Sequence, residues 1–366
     1  MALARPLGLS NDLKIATDKH QSNFKKLLKF DKKLAQLKSQ THYNSAYAIY
    51  CKFNLKGLKM KVLCRAFIAF GLAGFFALSA FAESVASGKV WGGFFSPESV
   101  FVGRDYIFVA NIGKEPNSLA KDNDGFISKL DKSGKVVKKD FASNLNAPKG
   151  MIEIDSTLYV VDIDRLVAFD TQGKKVLESH IQGAIFLNDI VLLDSNTLLL
   201  SDTGNGIIYA FDLKSKQTSE FARLELAKSG GGNGMLLDKA KQVLFVVCYH
   251  PDGKSGGQIL AIDTKTKAIK ILDAQKGAYD GVALAKNGDL LVSDWGENLN
   301  GKIYRISAKN GFSRDSLFGK NAKANVFTKT ALNLPAMKGP ADMFGTKDTL
   351  YIPKMLENEV LVVDLP

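Results

Sequence analysis

A short phrase that opens an apolar strand occurs six times from about residue 97 onward. In its clearest form, residues 232–238 lead through a turn into a second apolar strand at 242–247. Repetition at this scale indicates that each unit is one supersecondary element, which buries its apolar face against its neighbours. The corresponding residues of units one to six, here called the opening positions, lie roughly 40 to 60 residues apart. They are Glu98, Lys149, Asn188, Asn233, Asp280 and Ala341.

Each unit also contains a second and a third apolar strand, rich in β-branched and aromatic residues and bounded by Gly, Asp, Asn and Lys turns. Fourth strands, such as 135–139, 174–179 and 268–272, are more polar, as expected for exposed edge strands. Four strands per unit at this period predict an all-β fold, a six-bladed β-propeller with four-stranded blades. Residues 83–366 have no strong helical periodicity, which argues against an α/β enzyme.

The last unit has only three strands before the chain reaches Pro366, whereas residues 87–95 read as a strand that belongs to no unit. We therefore expect this N-terminal strand, at about 87–95, to complete the sixth blade as its outer strand. Lys89, Val90 and Trp91 would then lie beside residues 360–363. Such pairing would close the ring and leave no open sheet edge.

The beginning of the chain has a different composition, because nearly all of the formal net charge of +12 comes from residues 1–82. From Met60, basic residues lead into an apolar stretch that ends in small residues at Ala82, the pattern of a secretory signal peptide. We expect residues 60–82 to be this signal peptide, with cleavage near Ala82-Glu83 and a periplasmic or secreted product. Residues 1–59 would then be a basic leader that is not translated. The alternative is an uncleaved anchor with a basic cytoplasmic arm.

The predicted mature body, residues 83–366, is almost neutral, which argues against nucleic-acid binding. It contains one cysteine, Cys248, since Cys51 and Cys64 precede it, so no disulfide can form within it. Cys248 ends an apolar strand and is expected to be a buried thiol. For this body we expect a monomer that binds a small molecule and has neither a nucleic-acid nor a membrane partner.

The opening positions should meet in one place, because the first strand of each propeller blade lines the central channel. Asn, Asp and Gly initiate turns in any case, which is the simplest explanation of their presence. Turn formation does not explain why four of the six carry carboxylate or carboxamide oxygens. These hard donors suit a divalent metal, Ca²⁺ above all and Mg²⁺ or Mn²⁺ less well. The predicted metal ligands are Glu98, Asn188, Asn233 and Asp280.

Pro97-Glu98, Asn188-Asp189, Asn233-Gly234 and Asp280-Gly281, in this blade order, resemble the metal-ligand phrases of the SMP-30/gluconolactonase family of six-bladed propellers. Asn188-Asp189-Ile190 is also similar to a phrase of the more distant paraoxonase-type lactonases. The resemblance covers about residues 90–366. It implies a divalent cation at the channel bottom that polarises a lactone or ester carbonyl and activates a water. Asp280 would be both a ligand and the general base.

Some positions differ from that family pattern. Phe186 stands where sugar lactonases carry an arginine that holds substrate hydroxyls, and blade one reads Pro-Glu-Ser. Lys149 adds a cation to the channel, which could replace metal charge or bind an anionic substrate. His250 is either a proton shuttle at the mouth or a solvated loop residue, and Trp295 is a candidate pocket wall. The expected catalytic residues are Asp280 and His250, and the expected substrate-binding residues are Lys149, Phe186 and Trp295.

The sequence therefore predicts an extracytoplasmic metal-dependent hydrolase of lactones or related esters. A non-catalytic propeller that binds a ligand or protein partner, with a structural Ca²⁺ site, is the alternative that Lys149 and Phe186 favour. A repeat scaffold with an empty channel is a third. Residues 122–125 resemble part of a calcium loop but lack its helices and closing Glu, so we expect a surface insertion there. Asp162, Asp202 and Asp294 end second strands and are expected to stabilise turns.

Overall fold

The computed structural model describes residues 88–253, 256–320 and 322–366. These residues form six four-stranded antiparallel sheets in chain order. The innermost strands of consecutive sheets contact one another, and those of the first and last sheets also meet, so the sheets form a closed ring. The prediction of a six-bladed β-propeller is confirmed. The predicted leader at 1–59 and signal peptide at 60–82 lie outside the described residues, as do Cys51 and Cys64.

The strands of each blade follow from the channel outward. Blade one contains β2 (Pro97–Val102), β3 (Ile107–Asn111), β4 (Gly125–Leu130) and β5 (Val136–Leu145). Blade two contains β6 (Pro148–Ile154), β7 (Thr157–Asp162), β8 (Arg165–Phe169) and β9 (Lys175–His180). Blade three contains β10 (Leu187–Leu192), β11 (Thr197–Asp202), β12 (Ile207–Asp212) and β13 (Thr218–Arg223).

Blade four contains β14 (Gly231–Asp238), β15 (Val243–Tyr249), β16 (Gly257–Asp263) and β17 (Ile269–Gly277). Blade five contains β18 (Tyr279–Leu284), β19 (Leu290–Asp294), β20 (Lys302–Ala308) and β21 (Phe327–Ala331). Blade six contains β22 (Phe344–Gly345), β23 (Thr349–Lys354), β24 (Glu359–Asp364) and β1 (Lys89–Gly92).

The N-terminal strand β1 closes the ring as predicted. It pairs antiparallel with β24, with Val90 opposite Leu361 and Trp91 opposite Val360. The Trp91 indole also packs on Tyr351 of β23, with the ring centroids 5.6 Å apart. Blade six therefore draws strands from both ends of the described chain.

The core lies between neighbouring blades, because alternate residues of each strand face the next sheet. The contact between blades four and five is an example, in which Phe245 and Val247 of β15 pack with Val282 and Val292. Cys248 points the other way and joins the cluster between blades three and four. It is a free, fully buried thiol whose pKa is raised by burial, which confirms the expected structural role.

Each opening position in blades one to five coincides with a bulge between the first and second strands. In blade three, for example, the register shifts between Leu187 and Ile190. A bulge bends the strand and changes the direction of its side chains. Glycines follow three opening positions because the next blade is close: a Cβ on Gly234 would lie 2.3 Å from the Asp280 carbonyl oxygen.

The longer connections lie at the surface. Residues 112–124 join β3 to β4. Residues 122–124 of the predicted surface insertion are exposed in this connection, whereas Gly125 is buried and begins β4. The described part of the chain has two short helices, α1 (Leu226–Ser229) and α2 (Arg314–Phe318). Turns of 3-10 helix span Glu297–Leu299, Ala322–Ala324 and Met355–Glu357. Within the described ranges, no helix is both long and apolar enough to span a bilayer.

Candidate functional site

The four predicted metal ligands line one cavity of about 480 Å³ at a mouth of the channel. All four are buried, with between 3% and 7% of their surface exposed. Each has one buried oxygen without a hydrogen-bond partner among the described residues. These oxygens are Glu98 Oε2, Asn188 Oδ1, Asn233 Oδ1 and Asp280 Oδ1. Unpartnered buried oxygens are costly, so their presence on four residues of one cavity points to a cation or a hydrogen-bond donor that binds all four.

The remaining polar atoms of two ligands are fixed by neighbours. The Trp295 indole Nε1–H donates to Asp280 Oδ2 at 2.7 Å, which leaves Oδ1 as the free oxygen. Asn233 Nδ2 donates to the Tyr279 carbonyl oxygen at 3.3 Å, so its amide oxygen is the atom that remains free. These two hydrogen bonds leave Asp280 Oδ1 and Asn233 Oδ1 as the oxygens that are available to a ligand.

The two acidic ligands disfavour each other's charge. Burial raises the pKa of Glu98 well above its usual range, and the charge of Asp280 is the second largest cause. Burial raises the pKa of Asp280 to about 7, although the Trp295 hydrogen bond acts in the opposite direction. Two buried carboxylates of this kind ionise together readily only beside a compensating cation.

Lys149 is fully buried beside this pair. Its Nζ donates to the carbonyl oxygens of Ala147 at 2.8 Å and Ser118 at 2.9 Å, and it lies 5.0 Å from the Phe186 ring centroid. Burial lowers the pKa of Lys149, whereas the charge of Glu98 raises it. Lys149 therefore partly balances the negative charge of the two acidic ligands and also binds the 112–124 loop through Ser118. It is not among the residues that line the mouth cavity.

The mouth cavity has a largely apolar and aromatic wall. The predicted residues Phe186 and Trp295 are part of it, and so is Tyr249, which the sequence analysis did not single out. The other apolar residues of the wall are Pro116, Leu119, Pro251, Ala278, Leu299 and Met355. No Lys or Arg among the described residues lines this cavity.

His250 lies between two wall residues, Tyr249 and Pro251, but does not line the cavity itself. Its Nδ1 is 2.9 Å from an oxygen of Asp252 and accepts a hydrogen bond from the Asp252 backbone N–H. The proposed proton shuttle stays a prediction.

A second layer of polar residues lies behind the predicted ligands. Asp189 and Asp342 directly follow the opening positions of blades three and six and line a separate cavity of about 820 Å³. Asp189 accepts the backbone N–H groups of Ile190 and Met235, and burial raises its pKa to about 7. Asp342 accepts the Ser99 hydroxyl, and burial together with Asp189 raises its pKa well above the usual range. The sequence signals for this layer are the Asn188-Asp189 phrase and, at Asp342, a carboxylate at a position where three other blades have glycine.

The site fits a hard cation through mixed donors. Among the described residues, no group of three or more His, Cys, Asp or Glu side chains is placed to hold a metal. A metal would therefore use two carboxylates, two carboxamides and water, a combination of oxygen ligands suited to Ca²⁺. The unpartnered oxygens support that fit.

The aspartates that end second strands have structural partners, as expected. Asp162 accepts the backbone N–H groups of Asn146 and Ala147, and Asp294 accepts those of Ala278 and Gly296. Asp202 likewise accepts hydrogen bonds from four backbone N–H groups. These carboxylates hold the chain segments on either side of each second strand, including those that form the mouth.

No model of a protein family matches the chain, and no curated protein matches it. Among solved structures, a streptogramin B lyase is 14% identical, with a TM-score of 0.50 over 76% of this chain and 98% of that one. A nidogen/laminin complex has a TM-score of 0.49 at 14% identity, over 73% of this chain and 88% of that one. A catalytically inactive virginiamycin B lyase from Staphylococcus aureus with quinupristin has a TM-score of 0.47 at 16% identity, over 76% and 100%. At this identity the likeness shows the propeller fold alone.

Proposed function

We propose that this protein is a periplasmic or secreted hydrolase of lactones or related esters that depends on a divalent cation, as its resemblance to the SMP-30/gluconolactonase family implies. Glu98, Asn188, Asn233 and Asp280 would hold the cation, with Ca²⁺ as the preferred metal. The single observation that carries the proposal is the set of four unpartnered buried oxygens on one cavity floor.

The wall of the mouth cavity favours uncharged, apolar substrates. It carries aromatic and aliphatic residues, and its described part has no Lys or Arg to pair with a carboxylate or phosphate. Phe186 lies where a sugar lactonase has its arginine. We therefore expect uncharged lactones or esters with apolar substituents to be better substrates than sugar lactones or anionic esters. A cavity of about 480 Å³ is large enough for a small molecule.

A bound cation would supply Lewis-acid polarisation of the carbonyl and a more acidic water. Asp280 would remove a proton from the attacking water. The water oxygen then bonds to the carbonyl carbon, the acyl C–O bond breaks, and the departing alkoxide takes up the proton. Phe186 and Trp295 would hold the substrate's apolar part and exclude bulk water.

A non-catalytic propeller that binds a ligand around a structural Ca²⁺ is the second candidate. Two observations favour it: His250 does not line the cavity, and Lys149 already donates to two backbone carbonyls. Neither residue then serves a substrate in this arrangement. The same four ligands would stabilise the channel without turning over an ester.

The experiment that separates these candidates is a hydrolysis screen on the purified protein. Neutral lactones and aryl or alkyl esters are assayed with Ca²⁺ and with excess EDTA, and sugar lactones serve as the comparison. We expect hydrolysis that EDTA abolishes and Ca²⁺ restores. Cation binding without hydrolysis of any compound would support the non-catalytic candidate, and hydrolysis that EDTA does not change would refute a cation-dependent hydrolase.

A further inference from the structure

We propose that Trp295 is a positioning residue for Asp280, and that its indole N–H fixes the carboxylate so that only one oxygen is offered to a cation. This inference rests on the proposed cation site, although not on the hydrolysis. It gives Trp295 a role beyond that of a pocket wall. It also predicts that the fluorescence of the Trp295 indole changes when a cation binds.

The contact is directional. Nε1 of Trp295 is 2.7 Å from Asp280 Oδ2, the short distance typical of a hydrogen bond to a charged acceptor. Asp280 Oδ1 is buried and has no hydrogen-bond partner among the described residues. The two oxygens of one carboxylate therefore have different environments, which favours a single-oxygen contact with a metal.

The indole is held in place from several sides. The Trp295 backbone N–H donates to the Ala278 carbonyl oxygen at 3.0 Å, one residue before β18. The ring packs against a buried cluster that includes Ile112, Ala147 and Met355. A side chain at Gly339 would approach the ring to 3.3 Å, so Gly339 leaves the space that the indole uses. A donor fixed in this way is already oriented before a cation arrives.

Removal of the donor should therefore weaken cation binding and not merely widen the pocket. In Trp295→Phe the aromatic wall is largely kept, but Oδ2 loses its partner and the carboxylate can rotate. Groups that orient metal ligands through a hydrogen bond typically contribute about 10- to 100-fold to metal affinity. We expect Ca²⁺ affinity to fall by about that factor in Trp295→Phe.

The chain offers a matched control, since it contains two tryptophans. Trp91 lies in β1, the outermost strand of blade six, and does not line the mouth cavity. In Trp91→Phe, Trp295 becomes the sole tryptophan, so indole fluorescence reports on the Asp280 contact alone. In Trp295→Phe, fluorescence reports on Trp91 alone.

The test uses the full chain, stripped with EDTA and titrated with CaCl₂, for the wild type and both variants. Calorimetry gives the affinity, and tryptophan emission is recorded in parallel. The expected result is a saturable emission change in Trp91→Phe at the calorimetric midpoint, no change in Trp295→Phe, and weakened binding only in Trp295→Phe.

Wild-type affinity in Trp295→Phe, or emission that does not respond in Trp91→Phe while Ca²⁺ binds, would overturn the positioning role. The emission measurement keeps the native Trp295, so it decides the matter even if Trp295→Phe folds poorly. Absence of Ca²⁺ binding in the wild type would instead overturn the proposed cation site, and this inference with it.

Discussion

A Cβ atom on Gly281 would lie 2.4 Å from the backbone nitrogen of Met343, at the point where the first strands of blades five and six meet. The neighbouring atoms are backbone, which cannot move aside as a side chain can. Gly281→Ala should therefore lower the free energy of unfolding by about 1–3 kcal/mol, the usual cost of overpacking. Urea denaturation measures this. Gly92→Ala is the matched control, because a Cβ there meets nothing within 4 Å. Equal stability of the two variants would contradict the close approach.

The closing strand should contribute to stability through Trp91. Its ring lies against Tyr351 and against Gly134, where an added side chain would collide with the indole. Because the ring is only partly buried, Trp91→Ala should cost about 2 kcal/mol, less than a fully buried tryptophan. Val90→Ala, at a side chain that is 51% exposed, should change stability by at most about 0.5 kcal/mol. Chemical denaturation of both variants checks the difference; if Trp91→Ala is as stable as the wild type, β1 does not hold the ring closed.

Lys149 should weaken cation binding and stabilise the fold at the same time. Lys149→Met removes a positive charge beside Glu98 and Asp280, so Ca²⁺ affinity should rise roughly tenfold. It also leaves the carbonyl oxygens of Ser118 and Ala147 without their donor, at a cost of about 1–3 kcal/mol in unfolding free energy. Calorimetric titration and denaturation measure the two effects separately.

The exposed Lys309→Met serves as the control for the loss of one charge. If the wild type binds no Ca²⁺ but Lys149→Met does, Lys149 replaces the metal charge, as one sequence-based interpretation allowed. Unchanged affinity in Lys149→Met would contradict the electrostatic role described here.

Stabilisation by Ca²⁺ should depend on pH. Burial raises the pKa of Asp280 to about 7, above its value of about 3.9 in an unfolded chain. In the cation-free protein this group favours folding when protonated, so its contribution is lost as pH rises from about 4 to about 7. A cation binds the ionised form and must displace the proton at lower pH. The rise in melting temperature on adding Ca²⁺ should therefore be larger at about pH 8 than at about pH 5. An equal rise at both would contradict direct binding by these carboxylates.

The sequence was sufficient for the ring and for the opening positions, because the strand period and turn residues are local signals. Even the pairing of β1 with β24 followed from counting strands. The partners of Lys149 were not predictable, since Ser118 belongs to an irregular loop whose path no periodicity describes. The bond between Trp295 and Asp280 also depends on how a loop folds back over β18. Asp189 was recognised only as part of the Asn188-Asp189 phrase, and neither Asp189 nor Asp342 was given a role of its own, because a single residue after a turn has no pattern.

The most direct test of the cation site is calorimetric titration of the EDTA-treated full chain with CaCl₂, on the wild type, Asp280→Asn and the exposed control Asp140→Asn. We expect one bound Ca²⁺ per chain in the wild type and in Asp140→Asn. In Asp280→Asn we expect greatly weakened binding and the loss of any Ca²⁺-dependent hydrolysis. Binding of Ca²⁺ to Asp280→Asn with wild-type affinity, or no binding to the wild type, would contradict the assignment of these four oxygens to a metal.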